Sequence, residues 1–456
     1  MYIGGRFPLG DIRGGSVTEK DIANQFSRYV IPSMMSMVLV GMYMIVDGYF
    51  LCRAMGDDGL TAINLAWPMV ALMTAIGTGI GTGGSIIMTI RGSGGDEEGA
   101  LRAKSSTLVL LLGISVLLIP VYYFLVGDAL SLLGARGKIH EYGYNYMLVI
   151  TFGAVFQVMG AGLVPVIKNI GMPVYSMVMM VVGMVINIAL DAYFMLGLGL
   201  GLEGIAWATC IAQAVVAAMG IGPVLKSKLG PKWYLLERKT TAELIKIGMS
   251  PFGLTMAPAI VIVFTNYQCL RYGGNAAVAV YTVMSYAAYF IYSIMQGLAD
   301  GVQPLISHCT GAKDHKGLGG VLRKGLALGL ALGGSFMAVF YLARYQFPIV
   351  YGVSHDVAIQ CMPAMVAVAV SAPFVVVARL MSACFYAMDD GRNASILVYA
   401  DPFIFTPFFL VTLPMVMGVK GIWFAYPATQ VALTALALVL KSMGGGVQRT
   451  YMPNPL

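Results

Sequence analysis

Twelve stretches of this chain are long and apolar enough to cross a bilayer as α-helices, and no other feature restricts its fold as strongly. A spanning helix needs about 20 mostly apolar residues. Runs of that kind lie near 29–52, 60–90, 105–127, 142–167, 173–199, 203–225, 247–271, 276–308, 321–345, 361–388, 394–417 and 421–441. They lack the strict two-residue alternation of barrel strands, so helices are the expected solution. Charged residues make up only 11% of the chain, against about 25% in soluble domains. The expected class is an all-α polytopic membrane protein.

The charges that remain report orientation. The net charge is +7, and 21 of the 28 Lys and Arg fall on one side of the twelve-span reading. The other side holds Arg53, Arg136, Lys138, Arg271, Arg344 and Lys420, and Arg379 is left inside a span. By the positive-inside rule both termini are expected in the cytoplasm, with the protein in the cell membrane. The basic excess is thus no sign of nucleic acid. The polar, Gly-rich segment 1–28 has no short apolar core or cleavage site and does not read as a signal peptide.

The longest polar connection, 226–246, is also the most basic, and it divides the spans six and six. The expected organisation is a cytoplasmic segment 1–28, an N-lobe 29–225, a linker 226–246, a C-lobe 247–441 and a cytoplasmic tail 442–456. The halves match in order. Pro32 opens the first span and Pro251 the seventh. RGSGGDEEGALR, with Gly92 and Asp96, follows the second span; TGAKDHKGLGGVLR, with Gly311 and Asp314, follows the eighth. GIAWATCIAQ opens the sixth and GIWFAYPATQ the twelfth. With six spans per half, the repeat is parallel, and repeat transporters bind substrate near the midplane between halves.

Acidic residues break this symmetry. Asp47 lies in the first span and Asp191 in the fifth, one turn after Asn187, while the repeat places Asn266 and Phe408 at the matching positions. Carboxylates at membrane depth mark ion or proton pathways by default. Asn187 and Asp191 share a helix face, and Thr209 lies in the next span. These side chains offer only oxygen donors, which suit a hard cation; desolvated carboxylates also carry protons. A structural hydrogen-bonding role for Asp191 and an interfacial position for Asp47 are the alternatives.

Asp300, Asp401 and Arg379 also lie in apolar context. An internal ion pair between Arg379 and one of the acids is the expected arrangement, with a substrate contact as the alternative. Gly79, Gly81 and Gly84 form a GxGxxG pattern inside a span, without the strand or ribose-binding acid of a nucleotide site; close helix approach is the better reading. Pro32, Pro68, Pro165, Pro258, Pro304, Pro373, Pro407 and Pro427 permit bends. The six cysteines stand one to a segment with no CxxC pair, which fits packing and not metal or redox use. No Walker lysine motif and no nucleophile with a partnered base appears, so neither ATP use nor an enzyme is expected, and no cofactor.

IPSMM…MYMIVDGYFLCRAMGDDGLTAINLAWP resembles the first-span region of the multidrug and toxic compound extrusion (MATE) transporters, and the loops RGSGGDEEGA and GAKDHKG resemble that family's paired loops. The resemblance implies a V-shaped fold of twelve transmembrane helices in two six-helix lobes, exporting an organic small molecule in exchange for Na⁺ or H⁺. In the DinF-like branch the N-lobe cation site uses a first-span aspartate, a fifth-span Asn-x-x-x-Asp and a sixth-span threonine; Asp47, Asn187, Asp191 and Thr209 match residue by residue. A fourth-span asparagine of that site has no equivalent here, with Ala161 or Gly162 near its place and Gln157 one turn earlier. Asp401 departs from the arginine more usual near the start of span eleven. The resulting expectation is a monomeric, cation-coupled antiporter for amphipathic, cationic solutes. A lipid-linked oligosaccharide flippase of the related fold and a non-transporting scaffold or receptor are the alternatives.

Overall fold

The computed structural model describes residues 19–227, 236–350 and 355–443; the side chains of 19–21, 41–58, 60, 61, 64, 196, 275, 279, 350 and 355–358 lie outside that description. The described residues form α1 (Glu19–Ser93), α2 (Glu97–Leu132), α3 (Gly137–Phe152), α4 (Ala154–Asn169), α5 (Pro173–Ala192), α6 (Gly201–Leu225) and α7 (Arg238–Gly311). They continue as α8 (His315–Leu342), α9 (Gln346–Val350), α10 (His355–Ala387), α11 (Gly391–Ala400), α12 (Thr406–Met417) and α13 (Val419–Met443). Two π-helical turns interrupt them, Tyr193–Gly197 after α5 and Asp401–Phe405 between α11 and α12, and no strand occurs among the described residues.

Ten helical stretches are long and apolar enough to cross a membrane, and the bent pair α3–α4 makes an eleventh. They correspond to the second through twelfth expected spans. Half of the first, 29–52, falls on residues whose side chains lie outside the description. Several helices begin earlier than hydropathy indicates: α2 starts at Glu97 and α7 at Arg238. Their first turns are polar, and that of α2 is capped by Asp96, so they are helical without being apolar. The axes of α3 and α4 differ by 63°. Gly153 stands at the junction, where a Cβ would run into the Cys210 sulfur of α6. In α7, Gly274 at φ 60° and ψ −155° separates two spans, 238–274 and 276–311. An L side chain would be strained in that conformation.

The paired loops form equivalent caps. Asp96 accepts a hydrogen bond from the Gly99 amide at 2.8 Å to start α2, and Asp314 accepts one from the Gly317 amide at 2.9 Å to start α8. A Cβ on either glycine would collide with the capping carboxylate. The motif Asp-x-x-Gly therefore joins an N-cap to the residue that leaves it room, and such caps contribute about 1 kcal/mol each.

The described residues fold into two compact units, one within 39–256, the other within 19–38 and 257–443. The division falls inside α1 and α7, away from the polar linker. Glycines explain how the half-helices are held. In the first unit, Gly79 and Gly83 of α1 meet the backbone of Leu244 and Gly248 in α7. In the second, Gly297 and Gly301 of α7 meet the backbone of Tyr29 to Met34 in α1. These two Gly-x-x-x-Gly pairs occupy equivalent positions in the repeat. Small residues of this spacing let backbones approach closely enough for dispersion to hold helices in a bilayer. Gly77 and Gly81 do the same against Val158 and Gly162 of α4, and Gly84 seats Thr107 of α2. The glycine-rich stretch is thus a packing surface on the most buried of the candidate spans.

Within the first unit α6 packs on α3, α4 and α5; within the second α10 packs on α8 and α13. Cys210, Cys269, Cys309, Cys361 and Cys384 are buried and unbonded to one another, while Cys52 lies outside the described residues.

Candidate functional site

The first unit carries a buried polar stripe. The buried residues of α5 are Pro173, Ser176, Met179, Gly183, Asn187 and Asp191, all at three- or four-residue spacing and so on one face. Gly183 lets that face close on Val216 of α6. Asn187 and Asp191 extend the stripe to its end, at 6% and 1% exposure. The Asn187 amide nitrogen has no hydrogen-bond partner among the described residues. Directly beyond Asp191 the backbone widens into the π turn, where the Leu198 amide donates to the Tyr193 carbonyl at 3.0 Å. Such turns frequently stand at functional sites. Thr209 is half-buried on α6, the helix packed against α5. The side chain of Asp47 lies outside the described residues.

Gln157, on α4, is buried, and its amide nitrogen donates to the Thr74 hydroxyl of α1 at 2.9 Å. Its nitrogen is engaged within the helix packing. Thr74 carried no signal in the sequence, because an isolated hydroxyl in an apolar run costs little to bury once it bonds its own helix, as Thr74 does to Val70 at 3.1 Å.

The second unit joins Arg379 of α10 to Asp401, Nη2 to Oδ2 at 3.1 Å, with both side chains buried. The other carboxylate oxygen accepts from the Thr406 hydroxyl at 3.0 Å. The guanidinium lies 4.8 Å from the ring centre of Tyr292 on α7, and Tyr426 of α13 also faces it. Asp401 opens the second π turn. Asp300 is one turn from Gln296, whose amide donates to it at 2.9 Å. Of the two acids expected as partners of Arg379, Asp401 makes the ion pair. Tyr292 occupies the position in the repeat equivalent to Thr74. In each unit, the second span of the half thus gives a polar contact to the fourth.

A further cluster lies at the polar ends of α1, α2 and α7. Arg91 pairs with Glu243 at 2.5 Å and reaches the Thr240 hydroxyl at 3.0 Å. Arg102 pairs with Glu98 at 2.7 Å and Glu237 at 3.4 Å. The Thr240 hydroxyl donates to Glu237 at 2.7 Å. That bond is the chief reason the Glu237 carboxyl lies below the usual range; desolvation opposes it, and Arg102, Arg91 and Lys239 each add a smaller lowering. No group of three or more His, Cys, Asp or Glu suited to a metal occurs among the described residues.

The architecture is that of a polytopic membrane protein built from two repeated all-α lobes. The model of the MatE family matches residues 32–193 and 251–400, one copy in each half, and the chain belongs to the MATE family. A multidrug export protein MepA of Staphylococcus saprophyticus is 27% identical over 287 residues, covering 61% of this chain and 63% of that protein, under two thirds of its length. MepA of Staphylococcus aureus strain N315 is 24% identical over 420 residues, 90% of this chain and 91% of that one. Among solved structures, a MATE protein in complex with MaL6 superposes with a TM-score of 0.85 at 21% identity over 93% of this chain and 96% of that one. A MOP superfamily transporter of Pyrococcus furiosus gives 0.86 at 20% identity over 93% and 95%. At these identities the structures show the fold.

Proposed function

We propose that this protein is a multidrug efflux antiporter of the cell membrane, exporting amphipathic, cationic organic molecules in exchange for Na⁺ or H⁺ by alternating access. The observation that carries this reading is the burial of Asn187 and Asp191 on one face of α5, against α6 and at the edge of a π turn. Asp47, Asn187, Asp191 and Thr209 are the proposed cation ligands, all oxygen donors as a hard cation requires. Both termini are proposed to be cytoplasmic, with a monomer as the working unit. The MepA relatives, named as multidrug export proteins, support multidrug export.

Coupling requires the cation to bind the two conformations with different affinity. Binding at α5 and α6 would reposition the helices of the first unit, and the π turn provides a backbone segment whose hydrogen bonding is already shifted. A flippase for pyrophosphate-linked lipids would want several free cations within the spans. Arg379, the basic residue that the sequence places deep within a span, is already paired with Asp401. The test is uptake of a fluorescent organic cation into inverted vesicles under an imposed Na⁺ or H⁺ gradient. Asp47→Asn and Asp191→Asn should each abolish gradient-driven uptake; wild-type pumping by both rules the site out.

A further inference from the structure

Each half of the repeat places an aspartate of its fifth span next to a π turn: Asp191 before Tyr193–Gly197, and Asp401 at the head of Asp401–Phe405. The two acids are at different depths along their spans. They also differ in company, because a permanent cation is built into the second unit beside Asp401.

We infer that Arg379 is a tethered counterion, whose guanidinium fills the place at Asp401 that an exchangeable monovalent cation would otherwise take, so that the second unit holds its cation throughout the transport cycle. The inference rests on the proposed cation coupling and assigns the exchange to the first unit alone. Three observations carry it. The guanidinium contacts Asp401 at 3.1 Å in a buried setting, where Thr406 completes the carboxylate's hydrogen bonding. Its face is covered by the Tyr292 ring at 4.8 Å, an aromatic wall of the kind that favours cations. Its Nε has no hydrogen-bond partner among the described residues. A pair serving only stability gains little from such incomplete pairing, since replacing a buried ion pair by apolar residues is often neutral or stabilising. An arginine, unlike a bound ion or a proton, cannot leave: it stays protonated at any accessible pH.

The other ionisable groups facing this cluster are Tyr292 and Asp300 of α7, Tyr386 of α10 and Tyr426 of α13. Asp300 is engaged by Gln296. Replacing Arg379 by a neutral residue of similar polarity therefore leaves Asp401 as a buried carboxylate, beside an aromatic wall and a hydroxyl, in need of Na⁺ or H⁺.

The test is the melting temperature of the purified full chain, read by intrinsic fluorescence across NaCl concentrations at constant ionic strength and across pH. Ligand linkage makes Tm rise with the concentration of any ion that binds only the folded state. Arg379→Gln should gain a rise in Tm with Na⁺ or with acid on top of the response that the first unit's proposed site gives wild type. That gain should survive Asp191→Asn and vanish in Arg379→Gln/Asp401→Asn, while Arg379→Lys should stay like wild type. The inference is overturned if Arg379→Gln shows no gain, if it is unfolded at every Na⁺ concentration and pH, if Asp191→Asn removes the gain, or if Asp401→Asn leaves it. A wild-type cation response that Asp191→Asn does not remove counts against the proposed site in the first unit, and leaves the Arg379 comparison readable.

Discussion

Asp191 sits at 1% exposure in a spanning helix, and a charge in that setting costs several kcal/mol unless something nearby compensates it. Asn187, one turn away on the same buried stripe, holds an amide whose nitrogen has no partner among the described residues. An amide oxygen offered to a cation would explain its retention in the interior. Asn187→Ala is expected to raise the cation concentration for half-maximal transport by about tenfold, the equivalent of about 1.4 kcal/mol. A merely structural role would lower protein yield and leave that concentration unchanged. Glu237 supplies a pH prediction. Its folded pKa is lowered, chiefly by Thr240, so its contribution to stability is present above the unfolded carboxylate value and lost as pH falls through the folded one. The Tm of wild type should therefore drop more steeply than that of Glu237→Gln on acidification below about pH 4; parallel curves would show that the Thr240 and Arg102 contacts carry no stability. At this scale the sequence made the costly groups visible. Asp191, Arg379 and Asp401 stand out because charge is rare in spans, whereas Thr74, Tyr292 and Thr406 do not, because hydroxyls and rings belong there.

Helices in this protein are held by missing side chains as much as by present ones. Gly297 and Gly301 admit the backbone of α1, and Gly79 and Gly83 that of α7. Filling such a contact forces the backbones apart, and overpacking of this kind costs about 1–3 kcal/mol. Gly297→Leu and Gly79→Leu should each lower the melting temperature, whereas Gly113→Leu, on α2 with nothing within 4 Å of its Cβ position, should not. Equal effects at all three positions would show that helix propensity or lipid exposure governs, not close approach. Span positions were legible because a bilayer demands a fixed apolar length. The caps at Asp96 and Asp314 were legible as matched motifs. The 63° bend at Gly153 and both π turns were not, since they change hydrogen-bond register and direction without changing composition. The division of the units inside α1 and α7 escaped for a related reason: the polar linker marks where the sequence repeat ends, while compactness follows the glycine contacts.

Across the whole chain, the repeat is what turns isolated residues into a mechanism. Two copies of one fold, matched by the same family model at 32–193 and 251–400, carry unequal charges. The first holds Asp47 and Asp191; the second holds Asp401 with its own arginine. Symmetric scaffolding with an asymmetric complement of acids is what a transporter needs if one lobe is to respond to an ion. In the proposed antiport, ion and organic cation move in opposite directions through one obligatory cycle. It is tested most directly in proteoliposomes of the purified protein, with no imposed ion gradient and the organic cation added on one side only. The substrate gradient should drive Na⁺ or H⁺ the other way, against no prior gradient, and Asp191→Asn should abolish this flux. Substrate movement without any counter-movement of Na⁺ or H⁺ would contradict it.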